Sequence, residues 1–317
     1  MRVSVVIPCY NVERHVEQAV RSVMEQTYDD LDVIAIDDGS TDGTRNKLEQ
    51  LAKTYKVGFR WVAGQHKGAC AARNQGLSMT TGEYVQFLDA DDAVLTDKLH
   101  RQVDLAAANG NPDMVVGDFR NVYEDGTEET IRGMGKDPWI ALITTQLGTT
   151  SANLFKRTAL ENVGGWNVDQ ASSQDYELMF RLLCNNATVA WDHHVSSLVL
   201  KRSVGSISRT GLRDNWMRYL NLRKAMRAFL QRTDAKTHQR AIAEADQSIF
   251  MAIRVLSRHD PEAAREEFAR SMPANFIPDN TAAVTPSYIM FYKRFGFRAA
   301  QSSALVLGWF KRRAKSR

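Results

Sequence analysis

The sequence predicts an α/β fold, a doubly wound and mostly parallel sheet followed by a C-terminal helical region. Three observations predict it. Short β-branched runs alternate with stretches of helical period through the first third of the 317 residues. The runs Val3–Ile7 and Asp32–Ile36 are apolar almost throughout, as strands covered on both faces are. From about Leu212 onward the period is helical only.

The elements follow in order. Val3 to Ile7 reads as a first strand, with Pro8-Cys9-Tyr10-Asn11 as the loop at its carboxyl end. Val12, Val16, Ala19, Val20 and Val23 recur at helical spacing. Asp32 to Ile36 is a second strand ending in Asp37-Asp38, and Ser40 or Thr41 is the expected N-cap of the next helix, whose Leu48, Leu51 and Ala52 face inward. Phe59 to Val62 is a short third strand. Gly64 to Gly68 is a loop, and Ala69 to Leu77 is helical. Tyr84 to Leu88 is a fourth strand, followed by a helix over 97–108. Strands are expected at 113–117, 151–155, 188–191 and 197–200, with a hairpin around Asp125-Gly126. Helices are expected at 139–145, at 157–163 before Gly164-Gly165, and from Gln174 onward. Arg202 to Gly211 is a basic loop. Helices near 212–231, 236–257 and 261–270 precede a loop with Pro273, Pro278 and Pro286, then one final helix. The expected division is a domain over 1–211, in halves 1–105 and 106–211, and a helical region over 212–317.

Composition fits a soluble globular chain, at 44% hydrophobic and 25% charged residues. Cys9, Cys70 and Cys184 are few, odd in number and far apart, which predicts reduced thiols and a cytoplasmic protein. The apolar run after Met1 is too short for a signal-peptide core, and no stretch reaches the roughly 18 apolar residues of a spanning helix. The net charge of +4 is split: residues 1–200 sum to −10 and residues 201–317 to +14. A basic end predicts an anionic partner there.

The stretch Tyr84 to Asp92 carries the chemistry. A strand runs into Asp89, Asp91 and Asp92, and carboxylates of this kind belong at the carboxyl end of a buried strand, where open α/β sheets bind ligands. On an extended chain Asp89 and Asp91 would point the same way. Two hard oxygen ligands suit Mn²⁺ or Mg²⁺, with a phosphate-bearing substrate completing the shell. The G-x-G-x-x-G turn and the G-x-x-x-x-G-K-[ST] loop are both absent. A nucleotide would instead meet Tyr10, the acids after the second strand, Arg73 and a metal.

Taken together, the motifs resemble family 2 of the inverting glycosyltransferases, nucleotide-sugar enzymes of the Rossmann-like GT-A fold. The resemblance covers roughly residues 1–210. It rests on Val5-Val6-Ile7-Pro8-Cys9-Tyr10-Asn11, Asp37-Asp38-Gly39-Ser40-Thr41-Asp42, Ala72-Arg73-Asn74-Gln75-Gly76, Phe87-Leu88-Asp89-Ala90-Asp91-Asp92, Val163-Gly164-Gly165-Trp166 and Asp175-Tyr176-Glu177-Leu178, in that order. It implies a donor site of Pro8, Tyr10, Asp38, Arg73, Asp89, Ala90, Asp91 and Arg202. Tyr10 and Asp38 would meet the nucleoside, Arg73 the base or diphosphate, Asp89 the ribose, and Asp91 with Asp89 the metal. Asp175 would be the catalytic base. Lys201 to Arg209 resembles a segment that closes over the phosphates. Where the family often has Glu-Asp, this chain has Gln174-Asp175, which keeps the base and loses a neighbouring carboxylate. The Q-x-x-R-W motif of processive relatives is absent, so transfer of one sugar is expected, from a UDP-linked donor to a saccharide or lipid-linked saccharide. The setting implied is bacterial surface polysaccharide or lipopolysaccharide synthesis.

Two other readings stand beside this one. A sugar-nucleotide pyrophosphorylase would need a glycine-rich Arg/Lys loop where Pro8-Cys9-Tyr10-Asn11 stands. A non-catalytic nucleotide- or glycan-binding scaffold would not need Asp89, Asp91 and Asp175 together. Among single residues, Asp42 and Asp92 read as helix caps, Asp37 as a structural neighbour of Asp38, and Glu177 as a solvated acid. His193 and His194 read as one packed and one exposed. His66 reads equally as a donor flank or a surface residue, and Trp166 as core or acceptor platform. In residues 287–317 aromatic and cationic residues alternate, which fits an anionic membrane surface or a helix packed on the domain. No nucleic-acid partner is expected.

Overall fold

The computed structural model describes residues 1–135, 137–202 and 211–315, with only the backbone of 305–315. The chain divides into two compact units, Met1–Arg209 and Thr210–Arg317.

The first unit opens with β1 (Val3–Cys9), α1 (Val16–Met24), β2 (Leu31–Asp37), α2 (Thr44–Thr54), β3 (Phe59–Ala63), α3 (Ala69–Ser78) and β4 (Tyr84–Phe87). β5 (Ala93–Val94), α4 (Lys98–Ala108), β6 (Met114–Tyr123), β7 (Glu128–Ile131), α5 (Pro138–Ile143), β8 (Leu154–Lys156), α6 (Arg157–Asn162), α7 (Gln174–Cys184) and β9 (Val189–Lys201) complete it. The strands form one sheet in the order β3-β2-β1-β4-β8-β6-β9-β5, with β7 paired to β6. β1 runs parallel to both β2 and β4, and β3 runs parallel to β2. Their carboxyl ends therefore share one edge. The order reverses between β1 and β4, which makes the crevice above those two strands the topological switch point.

The apolar pattern explains the layers. Val3, Val5 and Ile7 pack with Val16, Ala19, Val20 and Val23 on one face, and Ile34, Ile36 and Ala72 pack together on the other. Burying a valine of α1 contributes roughly 1.5–3 kcal/mol. α1 has no side-chain cap, so burial rather than capping positions it. α3 lies close against β1, since a Cβ at Gly76 would stand 2.3 Å from Cγ1 of Val6.

Several expectations are corrected. α2 begins at Thr44, not after a Ser40 or Thr41 cap. Ser40 Oγ accepts from the Asn11 N–H, and Asp42 Oδ1 accepts from the N–H and hydroxyl of Thr44. β8 is only three residues long and runs antiparallel to β4 and β6. The two strands expected over 188–200 are one strand, β9, parallel to β6. Its pairing jumps from Gly117↔Asp192 to Asp118↔Val195, so His193 and His194 stand outside the ladder. Both are exposed, because a bulge breaks the alternation that would have packed one of them.

The second unit holds α8 (Leu212–Asp234), α9 (Gln239–Leu256), α10 (Pro261–Ser271) and α11 (Pro286–Lys315). Asp260 caps α10, accepting from the Ala263 N–H, with Pro261 at the first turn. The core gathers around Phe250, whose ring meets those of Phe268, Phe276, Tyr288, Tyr292 and Phe297. The single final helix expected from the sequence is broken at Gly296, where φ is 76° and ψ is 177°. No described helix is long and apolar enough to cross a membrane.

Candidate active site

The loop after β1 is laced to the loop after β2. Asn11 adopts a left-handed conformation, φ 51°, and its Oδ1 accepts from the N–H and hydroxyl of Thr41. The Val12 N–H donates to Thr44 Oγ1, and the Glu13 N–H to Asp42 Oδ2. This lacing fixes Tyr10 beside Asp38. Asp37 is buried and structural: it accepts from the Ser40 N–H and pairs with Arg45.

Asp38 is also buried, and its two oxygens accept from the N–H groups of Lys67 and Gly68 at 2.8 Å each. Its charge holds the loop before α3 while leaving lone pairs for a ligand. Gly39, φ 80°, is required here because a Cβ would lie 3.0 Å from the His66 backbone. His66 is drawn over the crevice by this loop, and its ring stacks on Tyr10 with centroids 4.1 Å apart. Tyr10 itself is 43% exposed.

Arg73 projects from α3 and is almost fully buried. Its Nη2 donates to Asp89 at 2.6 Å and its Nη1 to Gln174 Oε1 at 2.9 Å. Burial opposes its charge, but Asp89 raises its pKa overall. The guanidinium lies 4.5 Å over the Trp166 ring. Trp166 is buried, edge-on to Phe87, and held by Asn74 through both its backbone N–H and C=O. It is therefore core, not an acceptor platform.

After β4 the backbone turns instead of running extended: the Asp92 N–H donates to the Asp89 carbonyl at 2.9 Å. The extended-chain expectation for Asp89 and Asp91 is corrected, yet both still line the same crevice. Each faces an arginine, Asp89–Arg73 and Asp91–Arg202, at 2.6 Å. Burial, then the Asp89 charge, pushes the Asp91 pKa up against Arg202. Asp92 is no helix cap. It is buried, accepting from Ser151 Oγ at 2.6 Å and from the Leu200 N–H at 2.9 Å. Burial and its two acidic neighbours hold its pKa well above the carboxylate range.

Asp175 lies in the first turn of α7. Its oxygens accept from the Tyr176 N–H at 2.9 Å and from Thr149 Oγ1 at 3.3 Å. Burial raises its pKa and Asp89 adds to the rise, while the Tyr176 N–H, Arg73 and Thr149 hold it down. Glu177 is not solvated: Arg181 grips both its oxygens and also donates to the Gly165 carbonyl.

One cavity of about 650 Å³ is lined by Pro8, Tyr10, Asp38, Arg73, Asp89, Ala90, Asp91, Asp175 and Arg202, so the structure brings every residue expected from the sequence to one place. It adds His66, Thr149, Thr150, Ser172 and Lys201 to the lining. Of these, His66 had a sequence signal in its glycine-flanked loop and Lys201 in its basic segment; Thr149, Thr150 and Ser172 had none. The remainder of the basic segment, 203–209, lies outside the described residues. Among the described residues no three His, Cys, Asp or Glu side chains gather around a metal position. Asp89 and Asp91 nonetheless fit a partial hard-oxygen shell. Burial, and then the crowding of Asp89, Asp91 and Asp92, raises the Asp91 and Asp92 pKa values; a divalent cation would relieve that crowding, and a diphosphate would supply further oxygens.

The crevice, lined by acids, an aromatic pair and arginines, lies at the switch point of a sheet whose architecture matches known structures. The fold is that of GT-A glycosyltransferases. It matches Staphylococcus aureus TarS in complex with UDP-GlcNAc, with a TM-score of 0.62 and 17% identity over 86% of this chain and 77% of that one. It also matches the mannosyltransferase PcManGT of Pyrobaculum calidifontis, in complex with GDP-Man and Mn²⁺, with a TM-score of 0.57 and 21% identity over 96% of this chain and 86% of that one. The model of glycosyl transferase family 2 matches residues 4–164, and the chain belongs to that family. An Escherichia coli relative, the UDP-Glc:α-D-GlcNAc-diphosphoundecaprenol β-1,3-glucosyltransferase WfgD, is 31% identical over 165 residues, 48% of this chain and 62% of that protein. The first curated relatives are matched over only 33% to 53% of their own length.

Proposed function

We propose that this chain is an inverting, metal-assisted glycosyltransferase. It moves one sugar from a UDP-linked donor to a hydroxyl of a saccharide or lipid-linked saccharide, in bacterial surface polysaccharide or lipopolysaccharide synthesis. The observation that carries the reading is the placement of Asp175 on the same cavity as Asp89, Asp91 and Arg73. The UDP-GlcNAc bound by TarS and the donor and acceptor in the name of WfgD support the choice of substrates.

In this reading Pro8, Tyr10 and Asp38 hold the nucleoside. Asp89 meets the ribose. Arg73, Arg202 and Lys201 face the diphosphate. Asp89 and Asp91 would hold Mn²⁺ or Mg²⁺, which neutralises charge on the departing diphosphate. Asp175 takes the proton of the acceptor hydroxyl as that oxygen attacks the anomeric carbon. The new C–O bond forms on the face opposite the C–O bond to phosphate, which breaks with its electron pair staying on UDP. The anomeric centre inverts, and no covalent enzyme intermediate forms.

The place of work is the cytoplasmic side of the cell membrane, reached through the basic aromatic end of the chain. Calorimetry with UDP-, GDP-, dTDP- and CMP-sugars, each with and without Mn²⁺, tests the donor site. UDP-sugars should bind in a metal-dependent manner that Asp91→Ala removes. Asp175→Asn should bind donor as wild type does and lose transfer by about a hundredfold or more. Failure of every donor to bind in the presence of metal would favour the scaffold reading instead.

A further inference from the structure

We propose that the segment Thr149–Ser151 is the positioning element of this site, fixing the base Asp175 and the donor-side acids Asp89 and Asp92 to one short piece of backbone. The inference rests on the donor and base roles proposed above and adds what sets their spacing.

The contacts are on two faces. Facing the cavity, Thr149 Oγ1 donates to Asp175 Oδ2 at 3.3 Å. Ser151 Oγ accepts from the Asp89 N–H at 3.2 Å and donates to Asp92 Oδ2 at 2.6 Å. Two hydroxyls two residues apart therefore reach the base on one side and the acidic turn on the other. Asp92 also accepts from the Leu200 N–H at 2.9 Å, which ties the same turn to the strand leading to Lys201 and Arg202.

On the inner face the segment is held by a buried polar hub. Gln86 Nε2 donates to the carbonyls of Thr150 at 3.4 Å and Ser151 at 3.2 Å, and Gln102 Nε2 to that of Ala152 at 3.0 Å. Lys98 donates to the side-chain oxygens of both glutamines, and so fixes which way each amide points. All three side chains are fully buried. Such a hub is costly to bury, and a hydrophobic trio would fill the volume at less expense. What it supplies is direction: the carbonyls of residues 150–152 are held by the hub and the Thr149 carbonyl by the N–H groups of Ala152 and Asn153 at 3.1 Å each, which fixes the backbone that carries both hydroxyls. Gly117 leaves the room, because a Cβ there would stand 2.6 Å from the Ala152 carbonyl oxygen and 2.7 Å from Gln102 Nε2.

Thr149 and Ser151 are thus positioning residues that act through Asp175, Asp89 and Asp92. The groups that also face Asp175 are Asp89, Arg73 and the Tyr176 N–H, and they remain in every variant below. The full chain is assayed as Thr149→Val, which keeps the shape and removes the hydroxyl, as Thr149→Ser, which keeps the hydroxyl, and as Ser151→Ala. Thr149→Val should bind UDP and Mn²⁺ as wild type does, with donor KM unchanged, and lose about tenfold in kcat. The acid limb of its kcat/KM profile should move to higher pH, since a hydrogen bond to the ionised carboxylate is gone. Thr149→Ser should restore both readouts. Ser151→Ala should instead weaken UDP–Mn²⁺ binding severalfold. An unchanged kcat and pH profile in Thr149→Val, or a Thr149→Ser no better than Thr149→Val, overturns the inference while wild-type transfer stands. Wild type that neither binds UDP-sugar nor transfers overturns the donor and base reading, and this inference with it.

Discussion

Asp175, the base we propose, stands in a position that resists its own ionisation. Burial and Asp89 raise its pKa, and Arg73 opposes them. A general base must be ionised to accept a proton, so activity should fall with falling pH sooner than an ordinary aspartate would dictate. Gln174 matters here because it shares Arg73 through its amide oxygen without adding charge. Gln174→Glu would place a second carboxylate beside the base and draw Arg73 towards itself. The acid limb of kcat/KM should then shift upward by about one unit. A limb that stays in place, or moves down, would show that Arg73 and not residue 174 sets the Asp175 charge. At this scale the Asp89/Asp91 pair was marked by its place at the end of a strand and Asp175 by the family resemblance, and the fold sets all three on one cavity. The sequence was silent on Thr149, Ser151 and Ser172, which no spacing rule marks and which reach the site only through long-range pairing. It misjudged Asp92 and Glu177, since solvated and buried carboxylates look alike until their partners, Ser151 and Arg181, are in place.

α4 was legible as a helix, from Leu99, Val103 and Ala106 at helical spacing, but the fate of Lys98 was not. A lysine at the start of a helix reads as solvated. Here it is fully buried among Gln86 and Gln102, and burial pulls its pKa from 10.5 to about 7. Between those pH values the unfolded chain keeps the proton and the folded chain gives it up. Stability therefore rises with pH over that range, by roughly 1.4 kcal/mol per pH unit for this one group. The pH dependence of the urea midpoint tests it, read as wild type against Lys98→Met so that other titrations cancel. The variant should lack the rise between pH 7 and 9. Parallel curves would mean that Lys98 stays charged when folded. β5 escaped sequence reading for a related reason: an element of two residues carries no period, and only the strand beside it defines it; the strand expected over 151–155 was found shorter, as β8. Gly296 was visible as a residue, but helical spacing continues on both sides of it, so the break could not be read from pattern alone.

Across the whole chain, charge is the feature that the sequence displayed most plainly and that the fold does not explain. Residues 201–317 sum to +14 and residues 1–200 to −10. In α11 the exposed apolar side chains Met290 and Phe295, at 69% and 54%, stand among the exposed cations Lys293, Arg294 and Arg298. Tyr288, Phe297 and Ala300 of the same helix are buried in the core of the second unit. Packing accounts for the buried side chains of α11, and we propose that its exposed aromatic and basic side chains meet an anionic surface. Deleting residues 287–317 would remove core side chains along with the cations, so point variants separate the two roles. The full chain should co-sediment with vesicles containing anionic lipid and not with neutral ones, and added salt should release it. Arg294→Glu with Arg298→Glu reverses two charges that each contribute about 1 kcal/mol near an anionic surface, so partitioning should fall at least tenfold. Phe295→Ala should weaken it further with little change in salt dependence, because that side chain carries no charge and contributes chiefly apolar area. Donor binding in both variants should match wild type. Absence of the full chain from anionic vesicles at low salt would leave the aromatic and basic face of α11 without a membrane role.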